Sequence, residues 1–225
     1  MKVIHATRPG LVLGFHGCEQ SVRDALVKGN IRMNPSRWPY DWLGNGCYFW
    51  ENSYARAYDF VRHPPGGRVI KSPAVLGAVI DLQFCLDLLD KDCLDLLNES
   101  FVLLSGSMNG TGEDLPVNKY VSGSKDTLLR HLDYAVIEHL HKTRIAENLR
   151  PYDSVRSVFI EGNELYPGAG FRDKNHIQIC IRNPNCIKGY FNPIEGINWP
   201  GIDAGMYDQM KEEIASGIEL DRKYT

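Results

Sequence analysis

The sequence predicts an α+β protein rather than an alternating parallel sheet, and three observations predict it. Short runs such as "LVLGFHG", "CYFWE", "AVLGAVIDL", "SVRSVFIEG" and "NHIQICIRN" have the length and the β-branched or aromatic content of strands. These runs fall into two groups, with one strongly helical segment between them instead of a helix after every strand. No G-x-G-x-x-G links a strand to a helix, which argues against a Rossmann dehydrogenase.

The elements follow in order. "LVLGFHG" is a strand ending at Gly17. "SVRDALVKG" is a short helix, with Ser21 as its cap, Val22, Leu26 and Val27 as its apolar face and Gly29 as its stop. "NIRMNP" reads as a short strand and "SRWPYDWLGNG" as a loop. "CYFWE" is a strand in which alternation turns Phe49 to the core. "SYARAYDFVRH" is a helix capped by Asn52 or Ser53, "HPPGGR" a turn, and "AVLGAVIDL" a buried strand.

From about residue 85 to 150 the character changes. "CLDLLDKDCLDLL" echoes itself over a distance too short for a structural repeat, and "SGSMNGTGEDLP" reads as a loop. "DTLLRHLDYAVIEHLHKT" is the strongest helix, with Leu129, Leu132, Val136 and Leu140 at helical spacing. Strands return in "SVRSVFIEG" and "NHIQICIRN", with the glycine-rich "NELYPGAGFRDK" between them. One helix, "DAGMYDQMKEEIA", is expected after Pro193. The organisation expected is one domain over residues 1–193 with a helical insertion at about 85–150, followed by a tail over 194–225.

Composition excludes several classes. A net charge of −3 provides no global basic field to recruit nucleic acid. The six cysteines form no C-x-x-C pair and no zinc spacing, which points to buried free thiols in a reducing compartment. His139 and His141, two apart on a helix, face different ways, and His131 does not complete a metal site with them. Asp87, Asp90, Asp92 and Asp95 lack the glycine and closing glutamate of a calcium loop and read as a solvated helix face. No metal is expected. Proline and glycine interrupt the apolar stretch of "MKVIHATRPGLVLGF", and no run is long enough to span a membrane. The expectation is a cytoplasmic protein with no membrane partner.

Three stretches carry a family resemblance: "HGCEQSVRDALVKGNIRMNP", "WLGNGCYFWENSYARAYDF" and "AVLGAVIDLQFCLDL". In this order they resemble the catalytic domain of poly(ADP-ribose) polymerases and, more broadly, the diphtheria-toxin-like ADP-ribosyltransferases. "NHIQICIRNPNCIKGYF" parallels the end of that domain without a gap. The resemblance spans most of residues 11–84 and 175–191, and the 85–150 segment has no counterpart in it.

What the resemblance implies is a split mixed or antiparallel sheet that binds NAD in a cleft, with NAD as substrate. His16 would bond the adenosine-side ribose, and Gly17 would offer its N–H and C=O to the nicotinamide carboxamide, where a side chain would block approach. Tyr48 would stack on the nicotinamide, Tyr58 would close the other face, and Arg32 would lie beside the adenosine or diphosphate. Cleaving the nicotinamide–ribose bond leaves charge on the ribose, so such a site needs grip and a polar group near the 2′-OH.

The pattern departs from the family at its third residue. Where a glutamate opens the last family strand, this chain has His176, with Gln178 two residues on and on the same strand face. An imidazole there would give activity an ionisation at about 6.5 unless burial shifts it. Glu161, at the end of the preceding strand, is the fallback. Loss of the glutamate disfavours chain elongation and implies mono-ADP-ribosyl transfer to a macromolecule, protein or nucleic acid. A bacterial toxin, effector or defence factor is the implied setting, with an inhibitory partner if it is a toxin. Two alternatives stay open: a degenerate NAD- or ADP-ribose-binding module, and an NAD glycohydrolase.

Overall fold

The computed structural model describes residues 10–64, 68–121 and 126–194. Along the chain run β1 (Val12–Glu19), α1 (Gln20–Val27), β2 (Cys47–Glu51), α2 (Tyr54–Arg62), β3 (Pro73–Ile80) and β4 (Cys85–Asp87). Then come α3 (Lys91–Thr111), α4 (His131–Ala146), β5 (Ser154–Phe159), β6 (His176–Ile181) and β7 (Ile187–Phe191). The strands form one sheet in the order β4-β5-β6-β2-β1-β3-β7. Every neighbouring pair is antiparallel except β4 and β5, so the sheet is mixed and the chain is α+β.

Alternation sorts the strand side chains onto two faces. One face packs Phe49, Ala78, Ile80, Ile179 and Ile181 with Leu82, Cys85 and Cys186, and Leu76 with Cys18 beneath Leu26 of α1. The other face carries α2 and α4. Val155, Cys180 and Leu86 pack with Ile137 and Leu140 of α4, whereas Trp50 and Val75 pack with Ala57 of α2. β2 is the watershed between them: Tyr48 packs into the α4 cluster, and Trp50, two residues on, into the α2 cluster.

Several sequence expectations are corrected here. "NIRMNP" forms no strand, and a single bridge follows it, Ser36 with Gly46. Ser21 lies inside α1 and caps nothing; Glu19 precedes the helix, and its carboxylate accepts from the Lys71 and Ser72 N–H groups. The expected loop "SGSMNGTGEDLP" is helical to Thr111. Asp90 caps α3 by accepting from the Asp92 and Cys93 N–H groups, and the helix stops where Gly112 turns left-handed at φ 75°. Gly106 and Gly110 have open space around them, so they cost the helix only propensity, about 1 kcal/mol each. Leu129 lies before α4, in a bridge with Lys119. The 85–150 segment is also not purely helical, since β4 adds an edge strand. Asp87 is not on a solvated helix face: with Glu51 it holds the buried Arg156 guanidinium. The expected helix in "DAGMYDQMKEEIA" lies outside the described residues.

The loop that feeds β2 is fastened to α4 and β6. Glu138 accepts from the Asn45 N–H at 2.9 Å and from its side-chain amide at 2.8 Å, Tyr134 donates to the Asn45 side-chain oxygen, and Arg182 donates to both Glu138 and the Asn45 carbonyl. "GNG" is required by this packing. A Cβ on Gly44 would lie 2.5 Å from a Glu138 oxygen, and one on Gly46 would lie 2.5 Å from both the Cys180 sulfur and the Ile181 carbonyl. Gly46→Ala forces a methyl against backbone and is expected to destabilise the protein by about 1–3 kcal/mol. Denaturant unfolding checks this, and an unchanged midpoint counts against the close approach.

Candidate functional site

The site begins where a ladder stops. β1 pairs with β3 along its whole length, from Val12–Ile80 to Glu19–Pro73, but with β2 only at Gly14–Glu51 and Phe15–Trp50. The Asn52 N–H donates to the Leu13 carbonyl, which sets the phase: Leu13, Phe15 and therefore Gly17 turn their backbone groups toward β2. At Gly17 no ladder pair follows. Its N–H and C=O point to this gap in the ladder, opposite Tyr48, and the residue itself is buried.

His16 spans that gap. Its Nδ1 lies 2.9 Å from the Tyr48 carbonyl, and since a carbonyl only accepts, Nδ1 carries the proton. Burial lowers the His16 pKa, so the ring stays neutral and Nε2 keeps a lone pair. The His16 ring meets Phe49 edge-on at 6.0 Å, on the face opposite the Tyr48 ring. The two residues meet through the Tyr48 backbone and not ring to ring.

Tyr48 is seated by its hydroxyl, which donates to the Gly44 carbonyl at 2.6 Å and accepts from the Leu43 N–H at 2.9 Å. Burial raises its pKa well above the phenol range, so it stays protonated. Gly17 has a structural reason to be glycine that the sequence did not show. An added Cβ would come within 2.6 Å of the Ala57 carbonyl and 2.8 Å of Val61, so α2 itself demands the bare backbone. Tyr58 stacks on Tyr54 at 6.0 Å with the Arg62 guanidinium above it, and it is 39% exposed. Arg32 is exposed on the connection between α1 and β2.

The third position is buried. His176 pairs with Phe159 in the ladder, on the face it shares with Gln178, Cys180, Tyr48 and Trp50. Its side chain is 1% exposed, and its ring centre lies 6.2 Å from that of Trp50, 5.7 Å from Phe159 and 6.3 Å from Trp42. Nδ1 donates to the Lys174 carbonyl at 2.8 Å, and Nε2 has no partner among the described residues. Burial pushes its pKa down to about 4, against the Lys174 bond and aided by Arg56 and Arg130. Burial thus shifts the imidazole ionisation from 6.5 down to about 4, which leaves His176 neutral at physiological pH. Gln178 is half-buried, between Trp50 and Ser157 in the ladder.

Beside His176 stands a carboxylate. Glu161 Oε2 lies 3.6 Å from His176 Nδ1 and 3.7 Å from an Arg56 nitrogen. Burial and then Asp126 raise the Glu161 pKa to about 7, against the pull of Arg56, Arg130 and Lys174. Arg130 lies over the rings of Trp42 and Phe159 at 4.5 and 4.9 Å. Arg56, Arg130 and Trp42 went unnoticed in the sequence, because each belongs to a different element and no motif links them.

Family profiles, characterised proteins and solved structures show no match to this chain. Among the described residues no helix is long and apolar enough to cross a membrane, and no three His, Cys, Asp or Glu side chains converge to hold a metal ion.

Glu161 and His176 give opposite stability slopes. Glu161, raised from 4.5 to about 7, contributes stability that is full below 4.5 and lost as pH rises through about 7. His176, lowered from 6.5 to about 4, contributes stability that is full above 6.5 and lost as pH falls through about 4. The two slopes offset each other between about 4.5 and 6.5. Glu161→Gln, which mimics the protonated acid, is expected to match the wild-type melting temperature near pH 4.5 and to exceed it increasingly up to pH 8. A difference that does not change with pH contradicts the raised Glu161 pKa.

Proposed function

We propose that this protein is an NAD-dependent mono-ADP-ribosyltransferase with the poly(ADP-ribose) polymerase-like fold, acting on a macromolecular acceptor and releasing nicotinamide. The observation that carries the reading is the interrupted β1–β2 ladder. Gly17, though buried, turns one N–H and one C=O toward β2 where no ladder pair meets them. A primary carboxamide has the matching acceptor and donor and would pair there as a missing strand residue does. The His16 Nε2 lone pair suits a ribose hydroxyl, and the Tyr48 ring, fixed by two backbone bonds, gives a flat wall.

The chemistry asked of such a site is bond cleavage with the electron pair leaving on the nicotinamide nitrogen, while the acceptor's lone pair bonds to the ribose carbon. Mono-transfer is preferred to polymerisation because β6 carries His176 and Gln178 instead of the family's glutamate. We infer a cytoplasmic toxin, effector or defence factor as the setting; the acceptor is a protein or a nucleic acid. The buried, neutral His176 favours a second reading, a binding module without turnover. Hydrolysis of NAD is the third outcome.

Incubation with labelled NAD, with and without cell lysate or nucleic acid, separates these. Label on a macromolecule supports transfer, free ADP-ribose alone supports hydrolysis, and binding without nicotinamide release supports a module. His16→Ala removes the bridge and its ribose acceptor at a cost of ~1–3 kcal/mol, and is expected to weaken NAD binding about tenfold or more in calorimetry. Wild-type affinity in a folded His16→Ala protein sinks this assignment.

A further inference from the structure

β6 offers no group that can carry negative charge at the third position, yet the fold brings one there from the end of β5. Glu161 lies against His176 and is fixed by Arg56 of α2. Two chain segments link the cluster to Gly17. Trp50, beside the His176 ring, is two residues beyond Tyr48 on the same face of β2. Arg56 directly precedes Ala57, whose carbonyl closes over Gly17.

The cluster is also incompletely satisfied. Trp50 Nε1, Arg56 Nε, Arg130 Nε and His176 Nε2 are buried and have no hydrogen-bond partner among the described residues. Buried polar atoms are normally paired, so four open ones in the residues around His176 and Glu161 are an unmet demand, which a ligand meets only after the side chains that seal them part. Three of them are N–H donors. They suit the hydroxyl and phosphate oxygens of a sugar phosphate, and the neutral His176 Nε2 suits a hydroxyl proton.

We propose that Glu161 is the catalytic carboxylate of this site, with His176 packed beside it. The inference rests on the NAD-dependent transferase reading above. In the step, the bond from the ribose carbon to the nicotinamide nitrogen breaks and its pair neutralises the ring. The acceptor's oxygen or nitrogen lone pair forms the new bond to that carbon. The acceptor's proton passes to Glu161 and from there to water, so one proton is released per transfer.

The groups facing Glu161 set its working range. Arg56 from α2, Arg130 from the start of α4, and Lys174 before β6 favour the carboxylate, whereas burial and Asp126 favour the acid. His176 is uncharged and does neither at neutral pH. The balance holds the proton until about pH 7, and only the ionised form can accept the acceptor's proton.

The test is nicotinamide release from NAD as a function of pH, together with NAD affinity, in wild type, Glu161→Gln and Glu161→Asp. Wild-type turnover is expected to climb about tenfold per unit up to about pH 7 and then level. Glu161→Gln, nearly isosteric with the acid, is expected to lose at least ~100-fold of turnover at pH 8 while NAD affinity stays within about threefold. Glu161→Asp is expected to keep part of the rate. Turnover of Glu161→Gln close to wild type, or a wild-type profile flat through pH 7, overturns the assignment, and the second result needs no variant. Equal loss of affinity and turnover makes Glu161 a binding residue and also overturns it. A wild-type protein that neither binds nor cleaves NAD overturns the transferase reading, and this inference falls with it.

Discussion

A single side-chain hydrogen bond, from His16 to the Tyr48 carbonyl, takes up a backbone acceptor that a continuing ladder would have used. Backbone groups in a sheet are obligatory partners, so whatever pairs with Tyr48 decides whether β1 and β2 close or stay apart. With the imidazole in that place, the ladder ends at Phe15–Trp50 and Gly17 has no ladder pair on β2. The bond also fixes the His16 tautomer. Desolvation keeps the ring neutral although the bond to Tyr48 favours its protonated form.

The bond works only if the Tyr48 carbonyl is held still. Its hydroxyl is tied to Leu43 and Gly44, and that loop is tied through Asn45 to Glu138 and Arg182. Helix α4 and the end of β6, far along the chain, therefore position a residue of β2. On the other side, α2 presses on Gly17 through Ala57 and Val61, which fixes the β1 edge of the gap. The 85–150 segment is thus more than an appendage: its helix supplies the carboxylate on which the "GNG" loop is built.

The sequence revealed most where local pattern and tertiary role agree. β1, β2, β3, β5 and β6 were legible because alternating or continuous β-branched and aromatic runs can bury themselves only as strands. Phe49 faced the core as alternation required. "SGSMNGT" misled because glycine and serine mark loops locally, whereas a helix already started by the Asp90 cap carries them at modest cost. "NIRMNP" misled because strand character is only a local preference, and the segment pairs with no strand. His16, Gly17 and Tyr48 were legible as residues of neighbouring strands, but not that His16 and Tyr48 lie on opposite faces, which needs the register of β1 against β2. At the third position, His176 was legible by spacing but its charge state was not. Burial by Trp42, Trp50 and Phe159 sets that, and these come from three separate stretches. Glu161 was visible as a nearby acid; its contact with Arg56 was not, because nothing local links α2 to the end of β5.

The central claim is that the Gly17 backbone edge is a carboxamide-binding position. Backbone amide NMR of the ¹⁵N-labelled protein, titrated first with nicotinamide and then with NAD, tests it most directly. The expected result is a saturable downfield shift of the Gly17 N–H with both ligands, as an open amide gains an acceptor, with smaller shifts at His16 and Tyr48. A Gly17 amide that does not move at saturating NAD, while resonances elsewhere do, contradicts the claim.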